Sequence, residues 1–177
     1  MLVIMTKIIF IIGPISSGKS TLAKLIKNSV IIEIDDIYES NFNGKEFSQA
    51  YSNKKFQKIC WEKFYDKIKM NKLNNKSVVA LTTGLNPMLK PLLKKLKKEF
   101  PKEVYLIKLK SDKDTLASRT IQRKGIQKRT VLATLDTYQK LEKQIIKADF
   151  MIDSSQDLKS LKKRLRDILR SIQNHNS

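Results

Sequence analysis

Residues 13–20, Gly13-Pro14-Ile15-Ser16-Ser17-Gly18-Lys19-Ser20, satisfy the pattern G-x-x-x-x-G-K-[ST] at every required position. These residue types suit one task, the capture of a chain of phosphates. Gly13 and Gly18 admit backbone conformations that a Cβ would forbid, so successive N–H groups can converge on one anion. Lys19 offers a point charge for the outer phosphates, and the Ser20 hydroxyl is placed to ligate Mg²⁺. Gly13, Pro14, Ile15, Ser16, Ser17, Gly18, Lys19, Ser20 and Thr21 together form the candidate nucleotide-binding stretch. The bland alternative is a glycine turn without a ligand, and the flanks weigh against it. The apolar, β-branched run Lys7–Ile12 leads in as a buried strand, and Leu22, Leu25 and Ile26 lead out at helical spacing.

Two further groups of residues could do chemistry. Asp35 and Asp36 follow the short run Val30–Ile34, and carboxylates at the carboxyl end of a parallel strand point into the ligand crevice. A catalytic or metal-binding role is expected for at least one. Capping of the next short helix is the competing use, and two adjacent acids allow both. Arg119, Arg123 and Arg129 form the second group. Arg119 and Arg123 are four apart, so a helix would place them on one face, ahead of a break at Gly125.

The elements that must position these groups alternate. Strands are expected at Lys7–Ile12, Val30–Ile34, Ser77–Thr82, Val104–Leu109 and 149–153. Helices are expected after the loop, over 87–99, from Ser111 to about Gln122, over about 129–147, and at the end of the chain. Phe56, Ile59, Cys60, Phe64 and Ile68 follow helical spacing and read as core, whereas Phe42, Phe47 and Tyr51 are the best candidates to face a bound acceptor. Pro91 sits near the start of its helix, where it does little harm. Five strands alternating with helices imply an α/β fold, a five-stranded parallel sheet with helices on both faces, in one domain spanning 1–177.

Composition narrows the functional classes. Cys60 is the lone cysteine and His175 the lone histidine, which argues against a disulfide framework, zinc sites and histidine-based triads. A reducing, cytoplasmic setting fits. The opening Met1-Leu2-Val3-Ile4-Met5 has no basic leading region or small-residue cleavage site, and no window reaches membrane-span length. The formal net charge is +19, which suits an anionic partner. Thirty of the 36 basic residues are lysines spread along the chain, so compositional bias explains much of it and nucleic acid is the less favoured partner. The six arginines are confined to 119–129 and 164–170, where a planar guanidinium fork has a use that lysine lacks.

A guanine-reading N-K-x-D is missing, and the third strand ends Leu81-Thr82-Thr83 rather than in the acids usual for motor ATPases. A small phosphotransferase needs the loop with Mg²⁺, a carboxylate near the acceptor hydroxyl, an acceptor pocket and arginines over the moving phosphoryl group. Each has a candidate. In Gly13–Thr21, Ile34–Tyr38, Val79–Asn86, Arg119-x-x-x-Arg123 and 148–153, the chain resembles the nucleoside-monophosphate-kinase-like P-loop kinases, which include shikimate and gluconate kinases. That resemblance implies a three-layer P-loop NTPase fold, ATP and Mg²⁺ as cofactors, an acceptor segment over 38–75 and a lid over 119–130. It also implies Lys19, Asp35, Arg119, Arg123 and Arg129 as catalytic residues, with Asp36 second to Asp35 as base. Thr82 stands where many relatives carry an acid, so Mg²⁺ would rely on Ser20, water and the Asp35 or Asp36 carboxylate, with Ser20 and Asp36 the expected metal-binding pair. The expected partners are ATP and a small-molecule or nucleotide acceptor, with the chain a monomer or homodimer. A polynucleotide 5′-hydroxyl kinase and a non-catalytic nucleotide- or RNA-binding protein are the alternatives.

Overall fold

The structure is a computed structural model that describes residues 6–42, 53–124 (backbone alone at 123 and 124), 132, 135, 136, 138 and 147–174. Its centre is β1 (Ile8–Ile12), five apolar residues with no solvent exposure at all. A strand like this is shielded on both faces and both edges. β3 (Ser77–Thr82) and β4 (Val104–Lys110) flank it, β2 (Ser29–Glu33) lies outside β3, and β5 (Phe150–Asp153) lies outside β4. Every pairing is parallel, in the order β2-β3-β1-β4-β5. The five expected strands and their helix-covered parallel sheet are present.

The alternation of side chains along β1 divides the core in two. Ile8, Phe10 and Ile12 face a layer made by α2 (Ile34–Asn41), α3 (Lys54–Leu73) and α4 (Leu89–Glu99). Ile9 and Ile11 face α1 (Lys19–Ala23) and α6 (Leu158–Asn174). α5 (Lys113–Lys124) opens with Asp112, whose Oδ1 accepts the Thr115 N–H at 2.7 Å, and it runs two residues past the expected end. Leu132, Leu135, Asp136 and Tyr138 are helical; the rest of the helix expected over 129–147 lies outside the described residues.

Sequence periodicity placed some boundaries wrongly. α1 is one turn long; Leu25 and Ile26 follow in a tighter turn, held by their N–H groups on Leu22 O and Ala23 O at 3.1 and 3.0 Å. On α3 the buried face runs through Cys60, Trp61, Phe64, Tyr65, Ile68 and Lys72, while Ile59 is exposed. The two large aromatics, Trp61 and Tyr65, pulled the apolar stripe round and left Ile59 on its edge. Among the described helices none is long and apolar enough to cross a membrane.

Below the sheet, opposite the loop, Lys7 and Lys72 are buried beside Glu103, which pairs with Lys72. Burial depresses the Lys7 pKa below 10.5, with Glu103 opposing and Lys72 adding to the shift. A lysine whose folded pKa is depressed opposes folding while it is charged, and the penalty lifts as pH rises through that folded value. Lys7→Met is therefore expected to raise the melting temperature by a few degrees at neutral pH. The gain over wild type should shrink as pH approaches 10.5, which thermal melts at neutral and alkaline pH would show.

Candidate active site

The loop leaves β1 where the chain order switches, with β3 on one side and β4 on the other, so it lies in the crevice at the carboxyl ends of the strands. Its winding needs positive φ at Ser16 (59°) and Gly18 (89°). Gly18 is open to a side chain sterically, so its conformation is what requires glycine. Gly13 is required for space: a Cβ there would meet Ser17 Oγ at 2.8 Å, Leu109 Cβ at 3.0 Å and Leu109 O at 3.2 Å. Gly13→Ala should therefore lower stability by about 1–3 kcal/mol and weaken nucleotide binding together. Denaturant unfolding and calorimetry on the same variant check both.

The Lys19 ammonium folds back across the loop, donating to the carbonyls of Gly13 at 3.0 Å and Pro14 at 2.9 Å. The charge is thus parked within the loop rather than in solvent. Ser16 and Ser17 have buried hydroxyls without a hydrogen-bond partner among the described residues. Native interiors rarely leave such groups unpaired, because each costs about 1–3 kcal/mol. Two orphan donors, a folded-back cation and a loop wound by positive φ are the chemistry of a site for anionic oxygens, and the residues present fit a bound triphosphate. Ile15 does something else. Its side chain packs with Leu116, Ala117 and Leu135, fastening the loop to α5 and to the helical segment beyond it.

The Ser20 hydroxyl donates to Glu33 Oε1 at 3.3 Å. Glu33 ends β2 and stands at the N-cap of α2 in an extended conformation (φ −103°, ψ 131°), but its side chain makes no cap bond there. The carboxylate is turned to the loop instead. Asp35 and Asp36 lie in the first turn of α2, Asp35 half-buried and Asp36 exposed. Neither is the cap, so the competing capping role is not realised. Both suit the positive end of the helix. Thr82, at the end of β3, is buried, and its Oγ1 accepts the Gly84 N–H at 3.4 Å. Glu33 pairs in register with Leu81, the residue before Thr82. Glu33 thus brings a carboxylate from the neighbouring strand to the Ser20 hydroxyl. Sequence reasoning missed Glu33 because it sat inside an expected strand. The spacing Glu33-x-Asp35 at a strand end was the available signal.

Arg119 donates from Nη1 to the Ser154 carbonyl at 2.9 Å and so sits over the end of β5. With Ser17, Gly18, Thr21, Leu25, Leu109 and Leu158 it lines a cleft of about 320 Å³ beside the loop. The side chain of Arg123, and Arg129 with the rest of 125–130 in the expected 119–130 lid, lie outside the described residues. Tyr138 reaches across from the helical segment and donates to Thr83 O at 3.3 Å.

On the far side of the crevice, Asn86 Nδ2 donates to Gln57 Oε1 at 2.9 Å, joining the turn after β3 to the start of α3. Tyr38 is buried and accepts from Trp61 Nε1 at 3.2 Å. Burial, opposed by that bond but reinforced by Cys60 and Asp35, pushes its pKa up to about 12, so it stays protonated at neutral pH. Phe42 is half-buried and packs edge-on to Phe56 at 5.7 Å. Phe47 and Tyr51 lie outside the described residues.

A P-loop at the switch point of a five-stranded parallel sheet defines the architecture of the P-loop NTPases. A family profile described as AAA domain matches residues 9–147, and the chain belongs to that family. No curated protein matches it. Among solved structures, a shikimate kinase from Bacteroides thetaiotaomicron superposes with a TM-score of 0.67 at 17% identity, over 93% of this chain and 98% of that one. A gluconokinase from Sinorhizobium meliloti gives 0.66 at 17%, over 97% and 96%. A dephospho-CoA kinase from Campylobacter jejuni gives 0.54 at 18%, over 94% and 97%. The shared property is the fold, that of the small P-loop kinases.

Proposed function

We propose that this protein is an ATP-dependent phosphotransferase that moves the γ-phosphoryl group to a hydroxyl or phosphate of a small molecule or nucleotide. The observation that carries this reading is the loop itself: Lys19 and the orphan hydroxyls of Ser16 and Ser17 within a cradle whose Ser20 faces the Glu33 carboxylate. Loop amides and Lys19 would bind the phosphates, and the cleft under Arg119 would take the base. Ser20 and Glu33 would hold Mg²⁺ directly or through water, in place of the Ser20 and Asp36 pair expected from sequence. The ion, when bound, neutralises charge on the phosphate oxygens.

Asp35 would orient the acceptor hydroxyl and take its proton. Arg119, with Arg123 and Arg129, would screen charge on the equatorial oxygens, and lid closure over 119–130 would keep water from competing. Acceptors would enter between α2 and α3, past Gln57 and Asn86. The names of the similar kinases, acting on a sugar acid, a cyclic hydroxy acid and a cofactor precursor, support a small hydroxylated acceptor.

The test is an ADP-release screen over sugars, hydroxy acids, nucleosides and nucleoside monophosphates, run beside calorimetry of ATP with magnesium. Saturable ATP binding and acceptor-dependent ADP release are expected. ATP binding without release on any acceptor would favour a nucleotide-binding module, and no binding at all would overturn both.

A further inference from the structure

The three arginines outside the 119–129 cluster lie on α6, and the structure shows how that helix is used. Leu165, Ile168, Leu169 and Ile172 are buried against the sheet. Lys159, Lys163, Arg166 and Arg170 stand at i, i+4, i+7 and i+11, all exposed, and therefore form one stripe about 16 Å long on the opposite side. Successive cations along it are about one phosphate-to-phosphate step of a nucleic-acid strand apart. Lys162 stands beside the stripe.

No ion pair among the described residues engages these side chains. Of the nearby carboxylates, Asp157 is occupied as the cap of α6, accepting from the N–H groups of Lys159 and Ser160 and from the Ser160 hydroxyl. Asp167, at i+4 from Lys163 and i−3 from Arg170, makes no ion pair with either among the described residues. α4 offers a comparison. It is also rich in cations, but all are lysines; Lys95 rests on the Tyr65 ring and Lys97 reaches Asp149. Arginine retained on α6, in a chain that otherwise uses lysine, adds a bidentate fork matched to phosphate.

We infer that the outer face of α6 is a docking strip for a nucleic-acid backbone, engaging about four consecutive phosphates and reading no bases. Base stacking is not part of it, because among the described residues no aromatic ring is one of the exposed large apolar side chains. An anionic membrane is the poorer partner. Helices that lie on membranes insert apolar residues, and past Leu158 the large apolar residues of α6 are turned inward. The strip lies on the far side of the sheet from α2 and α3, so a bound strand is an anchor rather than the acceptor. The inference stands apart from the transferase reading.

Fluorescence anisotropy with short labelled oligo(U), oligo(dT) and a duplex, titrated across salt, tests it. Four neutralised phosphates predict that log affinity for the single strands falls with log salt at a slope of about −3, a loss of about 50-fold between roughly 50 and 200 mM. The triple variant K163Q/R166Q/R170Q should bind at least about tenfold more weakly, with the slope reduced to about −1. K90Q/K94Q/K98Q, which removes equal charge from α4, should stay within about twofold of wild type. Melting temperature and ATP binding should be unchanged in both variants. Equal losses in the two variants would assign binding to bulk charge and overturn the strip. So would failure to bind any oligonucleotide, or retention on phosphatidylserine vesicles alone.

Discussion

Lys19→Ala should lower phosphoryl transfer by about 10³-fold while leaving the melting temperature almost unchanged. The two halves follow from different parts of the structure. The Lys19 ammonium bonds the carbonyls of Gly13 and Pro14; both residues are buried, but these two bonds are only part-buried and Lys19 is half-buried, so water can take the ammonium's place once the side chain is cut back. The fold rests on β1 and its two apolar layers, none of which Lys19 supports. Transfer is different, because the charge that builds on the phosphate oxygens has few cations to meet it. Removing one fixed donor or cation from such a site typically costs about 10²–10⁵ in rate. Single-turnover transfer and a thermal melt on the same sample measure both. Wild-type turnover in Lys19→Ala would remove the loop from the chemistry and leave it a structural turn.

The loop was legible in the sequence because its constraints are local. A glycine that must adopt φ near 89° and a lysine two turns of loop away from its carbonyl partners leave a fixed spacing. The sheet was legible because a parallel strand buried on both faces reads as an unbroken apolar run, as in Ile8–Ile12 and, within β3, residues 78–81. What depended on distant contacts was not. Ile34 looks like the last residue of an apolar strand, yet it starts α2, so Asp35 and Asp36 are helical rather than at a strand tip. The Ser20–Glu33 contact joins residues 13 apart in sequence through the sheet register, and no local pattern announces it. Ile59 has the right spacing for the core, but the volumes of Trp61 and Tyr65 decide which face of α3 is buried. On α6 the helical spacing of Leu165, Ile168, Leu169 and Ile172 matches the buried face, but Leu158, at the same spacing, is exposed. That no ion pair among the described residues engages the cations of this helix needed coordinates.

Three substitutions at the β2–α2 junction should separate the roles of its carboxylates. Asp35→Asn is expected to slow transfer by about 10²–10⁴-fold, the usual span for a lost acid–base group, with ATP affinity within about threefold of wild type. Asp36→Asn should do far less, since Asp36 is exposed whereas Asp35 is half-buried. Glu33→Gln should act through magnesium: the concentration for half-maximal rate should rise by about tenfold or more, and saturating magnesium should recover much of the rate. The pattern across magnesium titrations is what discriminates. A pure proton-transfer group loses rate at every magnesium concentration, because the step it serves is missing whatever the metal occupancy. A metal-holding group loses occupancy first, which excess ion restores. If Asp36→Asn were inactive and Asp35→Asn normal, the base would move to Asp36. If Glu33→Gln left the magnesium dependence untouched, the Ser20–Glu33 contact would be a tie between strand and loop and nothing more.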